Sequence, residues 1–234
     1  MARMTDKTPY YSRPAKERAR EAACMRHVLA GAEAPDVIVE SFGGIGMTAQ
    51  IMRDFWPGAS IYSSDLDTAC AQEWNAKLQT QNPLRYCDND DALSVLQKLA
   101  PTIQPPQKVG VSLDFNRLTL LDLEKGREDD WRLELIGEVL ELRPSWIQVT
   151  DSACSKLHLN WRSYGLERPG FIDYINKLDE WWQQRTKYKM VAVARHHAAS
   201  YYRLEALTHG ERLRPWLLHY DGQETGVTVY GRQL

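Results

Sequence analysis

Residues 37–49 read VIVESFGGIGMTA, in which three glycines follow a run of β-branched residues. The segment from Val37 to Val39 suits a buried strand of a parallel sheet, and Met47–Phe55 suits a helix. Because glycine has no side chain, a glycine-rich turn between the two lets a ligand approach the main chain beside the positive end of the helix dipole. The stretch therefore predicts a binding loop after a first strand.

The composition limits which classes of protein the chain can belong to. The 234 residues are 43% hydrophobic and 26% charged, which is ordinary for a globular protein and sufficient for one sizeable α/β domain. No apolar run is long enough to span a membrane, and the N-terminus lacks the apolar segment of a signal peptide. The cysteines form no Cys-x-x-Cys pair, and the adjacent His196 and His197 point apart in a strand. We therefore expect a cytoplasmic protein with no membrane contact and no metal site.

Strand and helix patterns alternate along the chain. Seven strands are expected, at Asp36–Ser41, Ser60–Ser64, Leu84–Cys87, Lys108–Asp114, Trp146–Thr150, Met190–Ala194 and Tyr201–Leu207. Six helices are expected, at Pro14–Ala30, Met47–Phe55, Thr68–Leu78, Asp91–Leu99, Trp131–Leu142 and Phe171–Arg185. The spacing suits right-handed β-α-β crossovers, and the last strands leave no room for a helix between them. The sequence thus predicts an α/β, Rossmann-like, doubly wound and mostly parallel sheet with an antiparallel C-terminal edge.

We expect a single domain over residues 1–234. Residues 1–35 form a helical lead-in, 36–155 a cofactor-binding core, and 156–234 a substrate-side and edge-strand region. The charge is uneven, because residues 151–234 carry 12 Lys and Arg against 9 Asp and Glu, whereas residues 1–150 carry 17 against 22. A basic cluster near the N-terminus suits either a solvated helix face or a polyanion-binding patch: Arg13, Lys16, Arg18, Arg20 and Arg26. No feature of the sequence indicates an oligomeric state.

Two cofactor classes use such a glycine loop. Gly44–Ala49 fits the dinucleotide fingerprint G-x-G-x-x-A, and Asp65 follows where a ribose ligand is expected. Three acidic positions favour S-adenosylmethionine instead. Glu40 ends the first strand, where a carboxylate suits the methionine ammonium group and would repel a pyrophosphate. Asp65 suits the ribose. In the acidic patch Asp88–Ala92, a side chain suits the adenine amino group and the N–H of Ala92 suits a ring nitrogen.

These motifs together resemble the class I S-adenosylmethionine-dependent methyltransferases. The resemblance rests on E-S-F-G-G-I-G (Glu40–Gly46), S-S-D-L-D (Ser63–Asp67), D-D-A-L-S-V-L (Asp90–Leu96), S-L-D-F-N (Ser112–Asn116) and V-T-D-S-A (Val149–Ala153). It implies a methyltransferase with S-adenosyl-L-methionine as its cofactor. The cofactor-binding residues that it implies are Glu40, Phe42, Gly43, Gly44, Gly46, Asp65, Leu66, Asp90, Asp91, Ala92 and Asp114.

Catalytic groups are expected just past the fourth and fifth predicted strands, because ligands bind at the carboxyl ends of such sheets. Asp114 suits hydrogen bonding to an exocyclic amine, Phe115 stacking on a base, and Asn116 reading a base edge. Thr150–Ala153, followed by Trp161–Gly165, resembles the tRNA guanine-N2 methyltransferases. That resemblance implies a catalytic role for Asp151. The chain departs from that family where Phe115 and Asn116 replace its Pro-x-Gly segment.

The expected acceptor is an amino group on a nucleobase, which makes RNA or DNA the expected partner. Three alternatives stay open. Cys154 has roughly the place of a cytosine-C5 methyltransferase nucleophile, although a buried structural cysteine fits it as well. The acceptor is otherwise a small molecule or a protein, since the net charge is −2. Finally, the chain fits a non-catalytic S-adenosylmethionine-binding subunit.

Overall fold

The structure, a computed structural model, describes residues 15–115, 131–151, 171–196, 199–207, 220–221 and 228–229. Its strands are β1 (Val37–Ser41), β2 (Ser60–Ser64), β3 (Thr80–Gln81), β4 (Leu84–Asp88), β5 (Val109–Phe115), β6 (Trp146–Asp151), β7 (Tyr188–His196), β8 (Ala199–Ala206), β9 (Tyr220–Asp221) and β10 (Thr228–Val229). They form one sheet in the order β3-β4-β2-β1-β5-β6-β8-β7-β10-β9.

The middle of the sheet is parallel and its edges are antiparallel. Strands β4, β2, β1, β5 and β6 run in one direction. Strand β8 is antiparallel to β6, and β7 is antiparallel to β8. This arrangement confirms the predicted sheet with its antiparallel C-terminal edge. The two-residue strand β3, antiparallel to β4 at the opposite edge, was not predicted, because two residues carry no alternation pattern.

Helices cover both faces of the sheet. They are α1 (Ala15–Leu29), α2 (Met47–Phe55), α3 (Thr68–Leu78), α4 (Ala92–Leu99), α5 (Trp131–Glu141) and α6 (Phe171–Thr186), with a 3₁₀ turn at Ala100–Thr102. Each corresponds to a predicted helix, with the same ends or ends shifted by one residue. The layered order of helices, sheet and helices therefore follows from the alternation in the sequence.

Two apolar clusters lie on opposite faces of the sheet. The first packs the sheet against α1, α2 and α3, and Ile38 and Trp74 belong to it. The second packs it against α4, α5 and α6, and Val37, Val39 and Leu135 belong to it. Because β1 contributes to both clusters in alternation, its first three residues, Val37–Val39, form a continuous hydrophobic run. Burial on both faces fixes β1 at the centre and the glycine loop at its carboxyl end.

The side chain of Arg203 in β8 holds helix α1 against the sheet. The side chain is only 7% exposed, and its Nη1 donates to the carbonyl oxygens of Leu29 at 3.4 Å and Ala30 at 3.0 Å. Its Nε lies 3.2 Å from Oε1 of Glu205. A cation at the last carbonyls of a helix also complements the helix dipole. Arg203 therefore belongs to the core and anchors the C-terminal end of α1.

Candidate functional site

The glycine loop turns sharply between β1 and α2. Phe42, Gly44 and Gly46 have φ angles of 68°, 51° and 83°, all in the left-handed region that favours glycine. The amide of Gly46 donates to the carbonyl oxygen of Gly43 at 2.9 Å, and the amide of Gly43 donates to that of Ser64 at 2.8 Å. The loop is thus tied to the end of β2 as well as to β1.

The loop needs glycine because it lies directly on buried side chains. A Cβ atom on Gly43 would lie 2.0 Å from Oγ of Ser63 and 3.1 Å from Oε2 of Glu40. A Cβ atom on Gly46 would lie 3.1 Å from Cδ1 of Trp74. Any larger residue would lift the loop away from α3, so the sequence of the loop follows from its packing as well as its turn.

Glu40 lies beneath this loop and is 2% exposed. Its Oε2 accepts hydrogen bonds from Oγ of Ser63 at 2.7 Å and from Nε1 of Trp74 at 2.9 Å. The carboxylate also accepts from the backbone N–H of Ala49 in the first turn of α2. Since the N-cap residue Gly46 has no side chain to accept such a bond, Glu40 acts as the cap from β1. The predicted contact of Glu40 with an ammonium group stays a prediction.

The environment of Glu40 raises its pKa to about 7. Burial is the main cause, because it disfavours the charged form, and the negative charge of Asp114 adds to it. The hydrogen bonds from Ser63, Trp74 and Ala49 act in the opposite direction. Glu40 therefore titrates near neutral pH and shares its electrostatic environment with the carboxylate of the neighbouring strand β5.

Asp65 joins the glycine loop to the end of β2. Its Oδ2 accepts from the backbone N–H of Gly44 at 2.8 Å, and its Oδ1 accepts from that of Asp67 at 2.8 Å. Each carboxylate oxygen keeps a second acceptor site for a hydroxyl group. Leu66 follows with 74% of its surface exposed. The structure thus brings Asp65 and the loop together, and the binding of a ribose by Asp65 stays a prediction.

The acidic patch after β4 also organises helix α4. Asp91 caps this helix by accepting from the amide of Ser94 at 2.9 Å and from its hydroxyl, contacts that hold the pKa of Asp91 below its usual value. Asp90 accepts from Nζ of Lys98 at 2.6 Å, which lowers the pKa of Asp90. The N–H of Ala92 lies in the first turn, where amides have no partner within the helix. Binding of an adenine by these three residues stays a prediction.

Asn89 belongs to the predicted acidic patch, but the sequence interpretation assigned it no role of its own. Its Nδ2 donates to the carbonyl oxygen of Asp65 at 2.9 Å, and its Oδ1 accepts from the hydroxyl of Thr68 at 2.7 Å. It therefore ties the end of β4 to the turn that carries Asp65. An Asn directly after a strand end is a signal for such a turn contact.

Asp114 lies at the carboxyl end of β5, beside the start of the glycine loop. In the register, Leu113 pairs with Ser41 of β1, and Asp114 pairs with Thr150 of β6. Asp114 is half-buried, and its charge is felt at Glu40. The structure thus places Asp114 where the sequence predicts an acceptor-binding group, at the carboxyl edge between β1 and β6.

The other predicted catalytic residues are only partly described. Phe115 and Asp151 end their strands as a register pair, one step beyond Asp114 and Thr150. Their backbones therefore lie at the same edge as the glycine loop. Asn116, Cys154 and the segment 161–165 lie outside the described residues.

A buried polar row crosses the sheet beneath the site. The register aligns Ser63, Glu40, Ser112, Gln148 and Arg203 side by side on the face covered by α1, α2 and α3, and all five are buried. The hydroxyl of Ser112 donates to Oε1 of Gln148 at 2.6 Å, which satisfies two of these buried groups. The sequence interpretation assigned no role to Ser63, Ser112 or Gln148, although a polar residue inside a buried strand is itself a signal.

Gln148 connects this polar row to the edge where Asp114 lies. Its Nε2 donates to Oγ1 of Thr150 at 3.0 Å. Because Thr150 is the cross-strand partner of Asp114, the amide fixes the side chain beside that carboxylate. The packed interior of the sheet thus positions the candidate site from below.

The part of the chain that the structure describes has no metal cluster, reactive thiol or membrane-spanning helix. No group of three His, Cys, Asp or Glu side chains there is arranged to hold a metal ion. Cys24 and Cys87 are free thiols, and burial raises the pKa of each to about 12. Among the same residues, every helix is too short or too polar to cross a bilayer.

Known proteins share this architecture at low sequence identity. No family model matches the chain, and no curated protein matches its sequence. Trm1 from Pyrococcus horikoshii, in complex with S-adenosyl-L-methionine, matches 86% of this chain with a TM-score of 0.56 and 10% identity. This match covers 58% of Trm1, so the chain spans little more than half of that protein.

Two further structures match over most of their own length. A DUF574 family protein from Streptomyces avermitilis has a TM-score of 0.53 and 14% identity, with 82% of this chain and 83% of that one covered. The magnesium protoporphyrin IX methyltransferase ChlM from Synechocystis, with S-adenosylhomocysteine bound, has a TM-score of 0.51 and 11% identity, with 87% and 90% covered. The chain therefore has the fold of the class I S-adenosylmethionine-dependent methyltransferases.

Proposed function

We propose that this protein is an S-adenosylmethionine-dependent methyltransferase that methylates an amino group of a nucleobase in RNA or DNA. The proposal rests on one observation. The glycine loop, whose Gly44 amide donates to Asp65, lies at the same edge of the sheet as the carboxylate of Asp114 on the adjacent strand β5. The likeness of the fold to proteins solved with S-adenosyl-L-methionine or S-adenosylhomocysteine supports the choice of cofactor.

The residues around the loop fit each part of this cofactor. Asp65 has acceptor sites left for ribose hydroxyls, and the exposed Leu66 offers an apolar surface beside it. The N–H of Ala92 belongs to the first turn of α4, shortly after β4, and suits a ring nitrogen of adenine. Glu40 holds the glycine loop from below, near the end of β1 where the methionine ammonium group would lie.

The cofactor supplies an electrophilic sulfonium methyl group, so the protein mainly has to orient the acceptor. Asp114 accepts a hydrogen bond from the acceptor amine and aims the nitrogen lone pair at the methyl carbon. A C–N bond forms as the C–S bond breaks, and the nitrogen then loses one proton to water. Asp114 is suited to this role because it lies half-buried at the strand end, beside Thr150.

Two features support a nucleic acid as the acceptor. Residues 151–234 carry an excess of Lys and Arg, which suits a phosphate backbone. The T-D-S-A segment that begins at the end of β6 (Thr150–Ala153) resembles that of tRNA guanine-N2 methyltransferases. The test is transfer of tritiated methyl groups to total RNA or to DNA, followed by nuclease digestion and mass spectrometry of the nucleosides. A methylated amino nucleoside is expected from one of the two pools.

A small-molecule acceptor is the second candidate. It is favoured by the likeness to ChlM, which is a magnesium protoporphyrin IX methyltransferase, and by the net charge of −2. A nuclease-treated extract passed through a 3 kDa filter provides the corresponding acceptor pool. Methyl transfer into this filtrate, with none into RNA or DNA, would replace the first candidate by the second.

A further inference from the structure

Phe42 places a large aromatic side chain inside the glycine loop. Its φ of 68° is uncommon for a residue with a Cβ atom. In the alternation of β1, Ile38 belongs to the cluster under α1, α2 and α3, and Phe42, four residues on, would continue on that face. Instead, Phe42 packs against the cluster on the opposite face. The left-handed turn therefore redirects the ring toward the helix layer that contains α5.

Trp131 meets Phe42 from this layer. It is the first residue of α5, and the two ring centroids are 5.8 Å apart with planes at 71°, an edge-to-face contact. Trp131 shares one stripe of α5 with Leu135 and Val139, which lie four and eight residues further on. These two are fully buried, whereas Trp131 is 53% exposed. The core-facing side of the helix therefore extends beyond the sheet, and the indole ring of Trp131 is exposed at the edge of the sheet.

The edge in question is the carboxyl edge, where Asp114 lies. Helix α5 ends shortly before β6, and β6 begins at Trp146, which pairs with Gly110 near the start of β5. The first residue of α5 is therefore at the end of the sheet that carries the glycine loop. Phe42 directly follows Ser41, whose partner Leu113 precedes Asp114. The aromatic pair and the carboxylate accordingly flank the same space.

We propose that Phe42 and Trp131 form an aromatic wall that stacks on a planar heteroaromatic ring of the methyl acceptor and sets that ring beside Asp114. This inference rests on the proposed function and adds to it the two residues that hold the acceptor ring. The proposed function assigns the cofactor's own ribose and adenine to Asp65 and Ala92, which follow β2 and β4 on the other side of β1 from β5. The methionine part of the cofactor, which the proposed function puts nearest the loop, has no flat face to stack.

The test uses the full chain labelled with 5-fluorotryptophan and saturated with S-adenosylhomocysteine. The fluorine resonance of Trp131 is assigned from its loss in Trp131→Phe. Adenosine and guanosine 5′-monophosphates are the ring probes, and ribose 5-phosphate is the control without a ring. We expect at least one ring probe to shift the Trp131 resonance and ribose 5-phosphate to leave it in place.

The matched variants separate stacking from folding. Trp131→Phe keeps a flat ring and should bind the active probe nearly as well as the original protein. Trp131→Ala should weaken that binding about 5- to 150-fold, the range expected for one base stacked on an aromatic ring. Because Trp131 is half exposed, both variants should keep the circular dichroism spectrum and the affinity for S-adenosylhomocysteine.

The outcomes distinguish this inference from the function on which it rests. A protein that binds no S-adenosylhomocysteine would overturn the proposed function and the wall with it. A protein that binds S-adenosylhomocysteine but shows no Trp131 response to either ring probe overturns the wall alone. A Trp131 resonance that responds only to S-adenosylhomocysteine assigns the indole to the cofactor and likewise overturns the inference.

Discussion

The carboxylate of Glu40 lies 3.1 Å from the position that a Cβ atom on Gly43 would occupy. This proximity connects the two properties of the loop that matter for binding. The missing side chain lets the main chain close over a buried carboxylate, and the carboxylate in turn accepts from the first turn of α2. The loop is thus shaped from below by a charge that the strand itself supplies.

Gly43→Ala should distort this loop. The added Cβ atom would meet Oγ of Ser63 at 2.0 Å, so the loop must move, at a cost of about 1–3 kcal/mol in the free energy of unfolding. Affinity for S-adenosylhomocysteine, measured by calorimetry, should fall as well. Gly58→Ala is the matched control, because nothing lies within 4 Å of its added Cβ atom. Equal stability and affinity in the two variants would show that the loop tolerates a side chain.

The pKa of Glu40, raised to about 7, predicts a pH dependence of stability. Between the ordinary pKa of 4.5 and about 7, the folded state holds a proton that the unfolded state has lost. Stability should therefore fall as pH rises through this window, by about 3 kcal/mol in total from this group. Urea unfolding at pH 5, 6, 7 and 8 measures the slope.

Glu40→Gln is the matched variant for this titration. Its amide oxygen can still accept from Ser63 and Trp74, and it has no proton to lose. The variant should lack the fall between pH 5 and 7 and should be at least as stable as the original protein at pH 8. The same slope in both proteins would mean that another group titrates in this window.

Asp65→Ala should weaken S-adenosylhomocysteine binding. The variant loses the charged acceptor for the ribose and the hydrogen bond that holds the amide of Gly44, for a cost of about 1.5–3 kcal/mol. Calorimetry should also detect no binding of NAD to the original protein. Asp67→Ala provides the comparison, since Asp67 caps α3 nearby without contacting the loop amide. Tight NAD binding with unchanged S-adenosylhomocysteine affinity would reverse the choice of cofactor.

The hydrogen bond between Ser112 and Gln148 predicts a non-additive pair of mutations. Ser112→Ala leaves a buried amide oxygen without its donor, at a cost of about 1–3 kcal/mol in the free energy of unfolding. Adding Gln148→Leu removes the stranded acceptor, so the double variant should be more stable than the sum of the two single changes predicts. Chemical denaturation of the four proteins provides the cycle, and strict additivity would contradict the coupling.

Much of the fold was predictable because its signals are local. The bounds of Met47–Phe55, Ser60–Ser64 and Thr68–Leu78 follow from apolar periodicity and flanking turn residues, and the structure confirms them. The contacts of Glu40 were beyond such reasoning, since Ser63 and Trp74 lie 23 and 34 residues away along the chain. Side-chain contacts at that separation depend on strand register and helix rotation.

The site shows the same division between local and distant information. The order of acidic strand ends places Asp65 and Asp114 at one edge, because parallel strands share their carboxyl ends. The ring of Phe42 is directed toward Trp131 because Phe42 has a left-handed backbone conformation. No pattern of polar and apolar residues predicts that conformation for a phenylalanine. Asp91 lies at the N-cap of α4, where it accepts from the amide of Ser94, three residues further on. This capping role competes with its predicted role in binding adenine.

The Asp114→Ala variant tests the central claim most directly when its methyl transfer and its cofactor affinity are both measured. Asp114→Ala should keep its affinity for S-adenosylhomocysteine within about 0.5 kcal/mol if Asp114 orients the acceptor. A larger loss would instead fit the cofactor-binding role that the family resemblance implies for Asp114. Its rate of tritiated methyl transfer to the accepted nucleic acid should fall at least about a hundredfold. Cys154→Ser, measured alongside, should remain active if the acceptor is an amine. Near-full activity in Asp114→Ala would contradict the amino-methyltransferase mechanism.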